Sequence, residues 1–181
     1  MLMSTIRISP ATERDVPVIL EMIRGLAEYE QLAHLVTATE ERIRASLFPA
    51  NQFPADQFGT GQFAQSPAAE VLLAYLLGQQ GEECAGFAVF YRTYSTFLAE
   101  PGIYLEDLYV KPDARGKGVG SRLLGRVAGI AMERGWSRVE WEVLDWNEPS
   151  IRFYRGVGAI PMDAWTKYRL TGDAFRRVAE Q

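Results

Sequence analysis

The sequence predicts an α/β (α+β) domain with a mixed, largely antiparallel central sheet and helices on both faces. Three observations carry that expectation. Val16, Ile19, Leu20, Ile23, Leu26 and Ala27 repeat at helical spacing. Two apolar runs, Ala69 to Leu77 and Glu83 to Thr93, are joined across Gly78-Gln79-Gln80-Gly81, a hairpin signal. A third run, Tyr104-Leu105-Glu106-Asp107-Leu108-Tyr109-Val110, leads through a basic, glycine-rich turn into another helical pattern. At 181 residues the chain is read as a single domain, 1–181. That length buries about two thirds of the surface an unfolded chain exposes.

The elements follow in order. Thr5 to Ser9 alternates as a strand, and Thr12-Glu13-Arg14-Asp15 opens a helix running to about Glu30. Thr37 and Glu40 suit a capping box for a short helix, Thr39 to Leu47. Phe48 to Pro67 has no period but carries four phenylalanines, and reads as an ordered loop. After the hairpin come a strand from Ile103 to Val110 and a helix from Gly118 to Arg134. In that helix Leu123, Leu124, Val127, Ala128 and Met132 should face the core, with Gly125 and Gly129 permitting a close approach. A strand from Arg138 to Leu144, a helix from Pro149 to Val157 and a strand near Lys167 to Leu170 complete the set.

Composition narrows the function. Net charge is −4, which argues against duplex nucleic acid as a partner and suits a cationic one. No apolar run reaches the ~20 residues of a membrane span, and Arg7 and Pro10 interrupt any leader-like stretch, so a cytoplasmic protein is expected. The single cysteine, Cys84, reads as a small buried hydrophobe. The single histidine, His34, cannot build a zinc site with it, so no metal is expected. Covalent catalysis is thereby disfavoured. The chemistry falls to carboxylates, tyrosine and backbone.

The turn Arg115-Gly116-Lys117-Gly118-Val119-Gly120 is the richest signal. Amides at the start of a helix form a natural phosphate cradle. A magnesium-dependent phosphate loop needs Ser or Thr after its lysine, but Gly118 follows Lys117. The dinucleotide fingerprint fails too, since the spacing is Gly-x-Gly-x-Gly and lies past mid-chain. The turn instead resembles the Arg/Gln-x-x-Gly-x-Gly/Ala signature of the GNAT N-acetyltransferases, with Arg115, Gly118 and Gly120 at its defining positions. Downstream, Asn147-Glu148-Pro149-Ser150 and Phe153-Tyr154-Arg155-Gly156 with Gly158 resemble the second signature of that superfamily. Leu26-Ala27-Glu28-Tyr29-Glu30, Tyr104-Leu105-Glu106-Asp107 and Trp146-Asn147-Glu148-Pro149-Ser150 are similar to the diamine enzymes, the spermidine/spermine and thialysine acetyltransferases. The similarity runs from about Ile6 to Leu170 and is weakest between Phe48 and Pro67.

The resemblance implies a GNAT fold whose central strands, ending near Val110 and Leu144, splay apart to admit acetyl-CoA as co-substrate. It assigns cofactor contacts to Leu108, Tyr109, Val110, Arg115, Gly116, Lys117, Gly118, Val119, Gly120, Ser121, Asn147 and Ser150. The pantetheine arm would satisfy backbone groups left open at Leu108 and Val110, and an N–H of Leu108 or Tyr109 would hold the oxyanion. Tyr154 stands where the superfamily places the acid for the leaving sulfur, and Glu106 where the diamine enzymes place the base. Tyr29, Glu30, Glu106 and Asp107 would line the amine pocket.

One departure bears on the acceptor. Polyamine enzymes show Thr-Tyr-Asp-Pro-Trp after the third strand, whereas this chain has Thr93-Tyr94-Ser95-Thr96-Phe97. A carboxylate for a distal ammonium is missing, worth about 1.5–3 kcal/mol. That shifts the expectation toward a shorter or zwitterionic amine. The leading reading is acetyl transfer to a small primary amine by direct attack in a ternary complex, by a homodimer as in the diamine enzymes. Its alternatives are a non-catalytic acyl-CoA-binding sensor and a protein N-terminal or lysine acetyltransferase.

Overall fold

The computed structural model describes residues 5–49, 67–78 and 81–181. Most of the Phe48–Pro67 segment, read above as an ordered loop, therefore lies outside the described residues. By contacts the chain divides into two compact units, Met1–Glu142 and Val143–Gln181.

The first unit is built on a five-stranded sheet in sequence order. Its strands are β1 (Ile6–Pro10), β2 (Glu70–Gly78), β3 (Gly81–Ser95), β4 (Glu100–Val110) and β5 (Val139–Glu140). The first four pair antiparallel, and β5 joins β4 in parallel. Helices α1 (Val16–Tyr29) and α2 (Glu40–Leu47) cover one face. There Val16, Ile19, Leu20, Met22 and Ile43 pack with Val71, Leu73, Phe87 and Tyr109 in one buried cluster. The alternate residues Leu72 and Ala74 are also buried and take the opposite face, under α3 (Val119–Glu133). The predicted mixed sheet with helices on both faces is what forms.

Several details differ from expectation. Helix α2 is capped by Thr39, whose hydroxyl accepts the Arg42 N–H at 3.3 Å, and not by Thr37. On α3 the buried face is Val119, Leu123, Leu124, Val127, Ile130 and Ala131, while Met132 is largely exposed. The apolar stripe passes through Ala131, four residues after Val127, which turns Met132 outward. Gly125 and Gly129 approach no sheet; a Cβ on either meets at most the tip of Arg126. The strand expected over Arg138–Leu144 is reduced to two residues, because only Val139 and Glu140 find a partner on β4.

The second unit holds α4 (Glu148–Gly156) and α5 (Gly172–Ala179). No strand forms over Lys167–Leu170, and α5 was not foreseen. Asp173 and the arginines Arg176 and Arg177 do fit its two ends, complementing the helix dipole.

Three helices end alike. After α1, α3 and α4 the chain turns through a left-handed residue, and paired amides reach back to the last-turn carbonyls. For α3 and α4 that residue is Gly135 or Gly158. For α1 it is Gln31 (φ 62°), with Gln31 N–H to Glu28 O at 3.1 Å and Leu32 N–H to Ala27 O at 2.8 Å. A side chain there strains the backbone beside Tyr29 and Glu30. Replacing Gln31 with Gly should raise unfolding free energy by about 0.5–1 kcal/mol in urea titrations, the strain relieved outweighing the added unfolded-state freedom.

Candidate active site

The site begins at β4, whose two edges differ. Toward β3 it is paired along nearly its whole length, from Ser95↔Glu100 to Gly86↔Val110. Toward β5 it is paired only at Ile103 and Tyr104. Lys111 N–H donates to Ala85 O at 2.9 Å, which fixes the phase of the ladder. Tyr109 and Asp107 then spend their backbone groups on β3, while Leu108 and Val110 direct theirs to the other edge. Of the two amides named above, that of Tyr109 faces β3 and that of Leu108 the other edge. The Val110 carbonyl is engaged, accepting from Arg115 Nε at 3.1 Å.

A bulge interrupts β4 in its middle. Val89 lies opposite Asp107 and Phe90 opposite Leu105, so Glu106 has no counterpart in the register. Glu106 is therefore the extra residue of the ladder. Asp107, Val89 and Tyr109 share the face covered by α1, and Glu106 is exposed. Asp107 is half-buried, and its carboxyl is pushed up to about 7, first by burial, then by the charges of Glu106 and Glu30. Glu30, the C-cap of α1, is also raised by loss of solvent. Glu106 and Glu30 thus both lie within electrostatic reach of Asp107.

Tyr29 is held differently from that expectation. The Arg115 guanidinium lies over its ring, 4.3 Å from the centroid. Arg115 thus joins the end of α1 to the end of β4. The face it covers is closed to a substrate cation.

Beyond β4 a short turn, Pro112–Ala114, leads to Arg115, Gly116, Lys117 and Gly118, all exposed. Gly116 (φ 73°) and Gly118 (φ 87°) are left-handed, and Gly118 is the N-cap of α3. The first helical bond is Arg122 N–H to Gly118 O at 3.1 Å, so the amides of Val119, Gly120 and Ser121 precede it. A Cβ built on Gly116 meets nothing within 4 Å, and on Gly118 only Ile6 Cδ1 at 3.9 Å. The glycines are therefore required by backbone conformation, and open space lies above them. Free helix-start amides, Lys117 and an open strand edge fit a pyrophosphate with a peptide-like arm.

In the second unit Asn147 caps α4, its side-chain oxygen accepting Ser150 N–H at 3.3 Å, and is only 5% exposed. Tyr154 lies on α4 with its ring 5.2 Å from that of Phe153. In the β3–β4 turn, Ser95 Oγ accepts the Leu98 N–H at 3.3 Å, and Phe97 is 92% exposed. His34 is exposed, and no cluster of His, Cys, Asp or Glu among the described residues could hold a metal ion. None of the helices among them is long and apolar enough to cross a membrane. Sequence reasoning missed the bulge and the Arg115–Tyr29 contact. Neither leaves a local signature.

The Acetyltransferase (GNAT) family matches residues 35–159. The chain belongs to that family and is an N-acetyltransferase. It is 39% identical to a thialysine N-epsilon-acetyltransferase of Sus scrofa, over 98% of this chain and 99% of the relative. It is 35% identical to an L-ornithine N5-acetyltransferase of Arabidopsis thaliana, over 95% of this chain and 87% of the relative. Among solved structures, an integron cassette protein from the mobile metagenome of V. cholerae superposes with a TM-score of 0.69 at 22% identity, covering 97% and 98% of the two chains.

Asp107 gives stability a pH dependence of definite sign. Its folded pKa of about 7 exceeds the ordinary 3.8, so the folded chain holds a proton the unfolded chain has released. That contribution is complete below about pH 4 and lost as pH rises through about 7. Asp107→Asn should therefore stabilise the protein at pH 8, by a few kcal/mol at most, and change little at pH 4. Urea unfolding at the two pH values reads the difference.

Proposed function

We propose that this protein transfers the acetyl group of acetyl-CoA to the primary amine of a small cationic or zwitterionic molecule, by direct attack in a ternary complex. The observation that carries the reading is the join at the end of β4. There a carboxylate pair, an outward-facing Leu108 amide and a turn of open helix-start amides follow within 15 residues, Glu106 to Gly120. The amine relatives support the substrate class: one acts on thialysine and another on L-ornithine. Both are zwitterionic amino acids with a side-chain amine. Ser95, committed to its turn, supplies no carboxylate for a distal ammonium, which favours such short acceptors over polyamines.

The chemistry divides among a few groups. Backbone amides of 116–121, with Lys117, hold the pyrophosphate. The co-substrate supplies an activated thioester, and the Leu108 N–H, at the open edge, stabilises the developing oxyanion. A carboxylate of the Glu106–Asp107 pair takes the amine proton, because a free alkylammonium of pKa roughly 10.4 cannot attack. Tyr154 protonates the departing sulfur. Asn147 and Ser150 extend the cofactor contacts, and Glu30 with Tyr29 borders the acceptor. A cytoplasmic homodimer, as in the diamine enzymes the sequence resembles, completes the reading; light scattering tests the dimer.

Free-thiol release on mixing protein, acetyl-CoA and an amine panel should be amine-dependent, and fastest with lysine- and ornithine-like acceptors. Absence of any amine-dependent thiol release would indicate a binding module. Tyr154→Phe should lower turnover by about 10²–10⁴ with acetyl-CoA affinity unchanged, in steady-state and calorimetric measurements. Gly118→Val should weaken acetyl-CoA binding in the same titration, since a side chain at φ 87° distorts the turn and covers its amides.

A further inference from the structure

We infer that Asp107, and not Glu106, is the catalytic base of the transfer. The inference rests on the amine-acetylation reading and says which carboxylate serves it. The bulge makes the choice. Glu106 is the extra residue in the register and is exposed, so water screens its charge. Asp107 is carried to the face under α1, opposite Val89 and on the same face as Tyr109, where it is half-buried. Its neighbour Leu108 is the first residue past the bulge whose backbone groups turn to the open edge. One strand step, about 3.3 Å of rise, thus separates the proton acceptor from the oxyanion donor.

The electrostatic surroundings agree. The charges that act on Asp107 are Glu106 on its own strand and Glu30 at the end of α1; the position facing it on β3 is the neutral Val89. The nearby cation Arg115 is turned to Tyr29 and Val110. With burial and two anions as its causes, a carboxyl near 7 can accept a proton from an ammonium and return it to solvent at neutral pH far better than an ordinary one. The step balances. The ammonium N–H bond breaks and its proton passes to an Asp107 carboxylate oxygen. The freed nitrogen lone pair bonds the thioester carbonyl carbon, and the C–S bond breaks with its electron pair leaving on sulfur. Tyr154 gives that sulfur its proton and is restored by the second proton, which the newly acylated nitrogen sheds as the C–S bond breaks; the Asp107 proton goes to solvent.

The test combines two variants and one readout without co-substrate. Carbon-13 NMR of labelled, ligand-free protein should show one aspartate carboxyl titrating near pH 7, lost in Asp107→Asn and kept in Glu106→Gln. At pH 7, Asp107→Asn should lower kcat/KM by about 10²–10⁴ with unaltered acetyl-CoA binding. Glu106→Gln should lower it by less than Asp107→Asn does, since Glu106 borders the acceptor without taking its proton, and the ranking of the two variants is the readout. An acceptor already neutral at pH 7, such as 2,2,2-trifluoroethylamine, should restore turnover to Asp107→Asn, which loss of a structural carboxylate would not allow. The reverse ranking of the variants, no rescue by the neutral amine, or no carboxyl titrating near 7 overturns the assignment while leaving an active acetyltransferase. A wild-type protein inert toward every amine removes the amine-acetylation reading and this inference with it.

Discussion

The unequal pairing of β4 is the constraint on which the rest of the structure depends. On one edge it shares an antiparallel ladder with β3 along nearly its full length; on the other, β5 accompanies it for two residues. Backbone polar groups at an unpaired edge need a partner from water or a ligand, because burying them bare is costly. The antiparallel side holds the strand rigid while the open side offers Leu108. A site built this way sits on the sheet itself. The Arg115 bond to the Val110 carbonyl then closes one of the two outward positions, which confines the opening.

A second consequence follows from the bulge at Glu106. An extra residue in one strand of an antiparallel pair shifts its phase, so the residues beyond it change faces. Here that places one acid toward solvent and the next toward α1. Two adjacent carboxylates, chemically alike, thereby acquire different proton affinities. Burial without a cation is normally disfavoured, and a protein tolerates it where the strain serves a reaction. The left-handed Gln31 lies one residue past Glu30, so backbone strain and raised carboxyls meet at the same helix end.

Much of this was legible in the chain. The helix stripe of α1, the hairpin at Gly78–Gly81, the β4 run and the glycine turn each have a local signature, and each forms within a few residues of its expected bounds. Gly118 is read correctly as a helix-start glycine because φ 87° is a local demand of the backbone. Other expectations rested on patterns that local sequence does not decide. Arg138–Leu144 and Lys167–Leu170 look like strands by composition, yet a strand exists only where a second chain segment offers a ladder, and only Val139 and Glu140 find one. Met132 matched an apolar period that the sheet beneath α3 does not use.

The sequence by itself determined the family, the glycine-rich turn at the start of α3 and the adjacent acids of β4, because each is written in residue types a few positions apart. Only the tertiary structure decided how β4 is used. Register between strands is set by long-range pairing, and the pairing of Val89 with Asp107 isolates Glu106, buries its neighbour and leaves Leu108 facing outward. The division of labour between two adjacent acids is a property of that pairing, since alternation within one strand cannot reveal where its phase will slip.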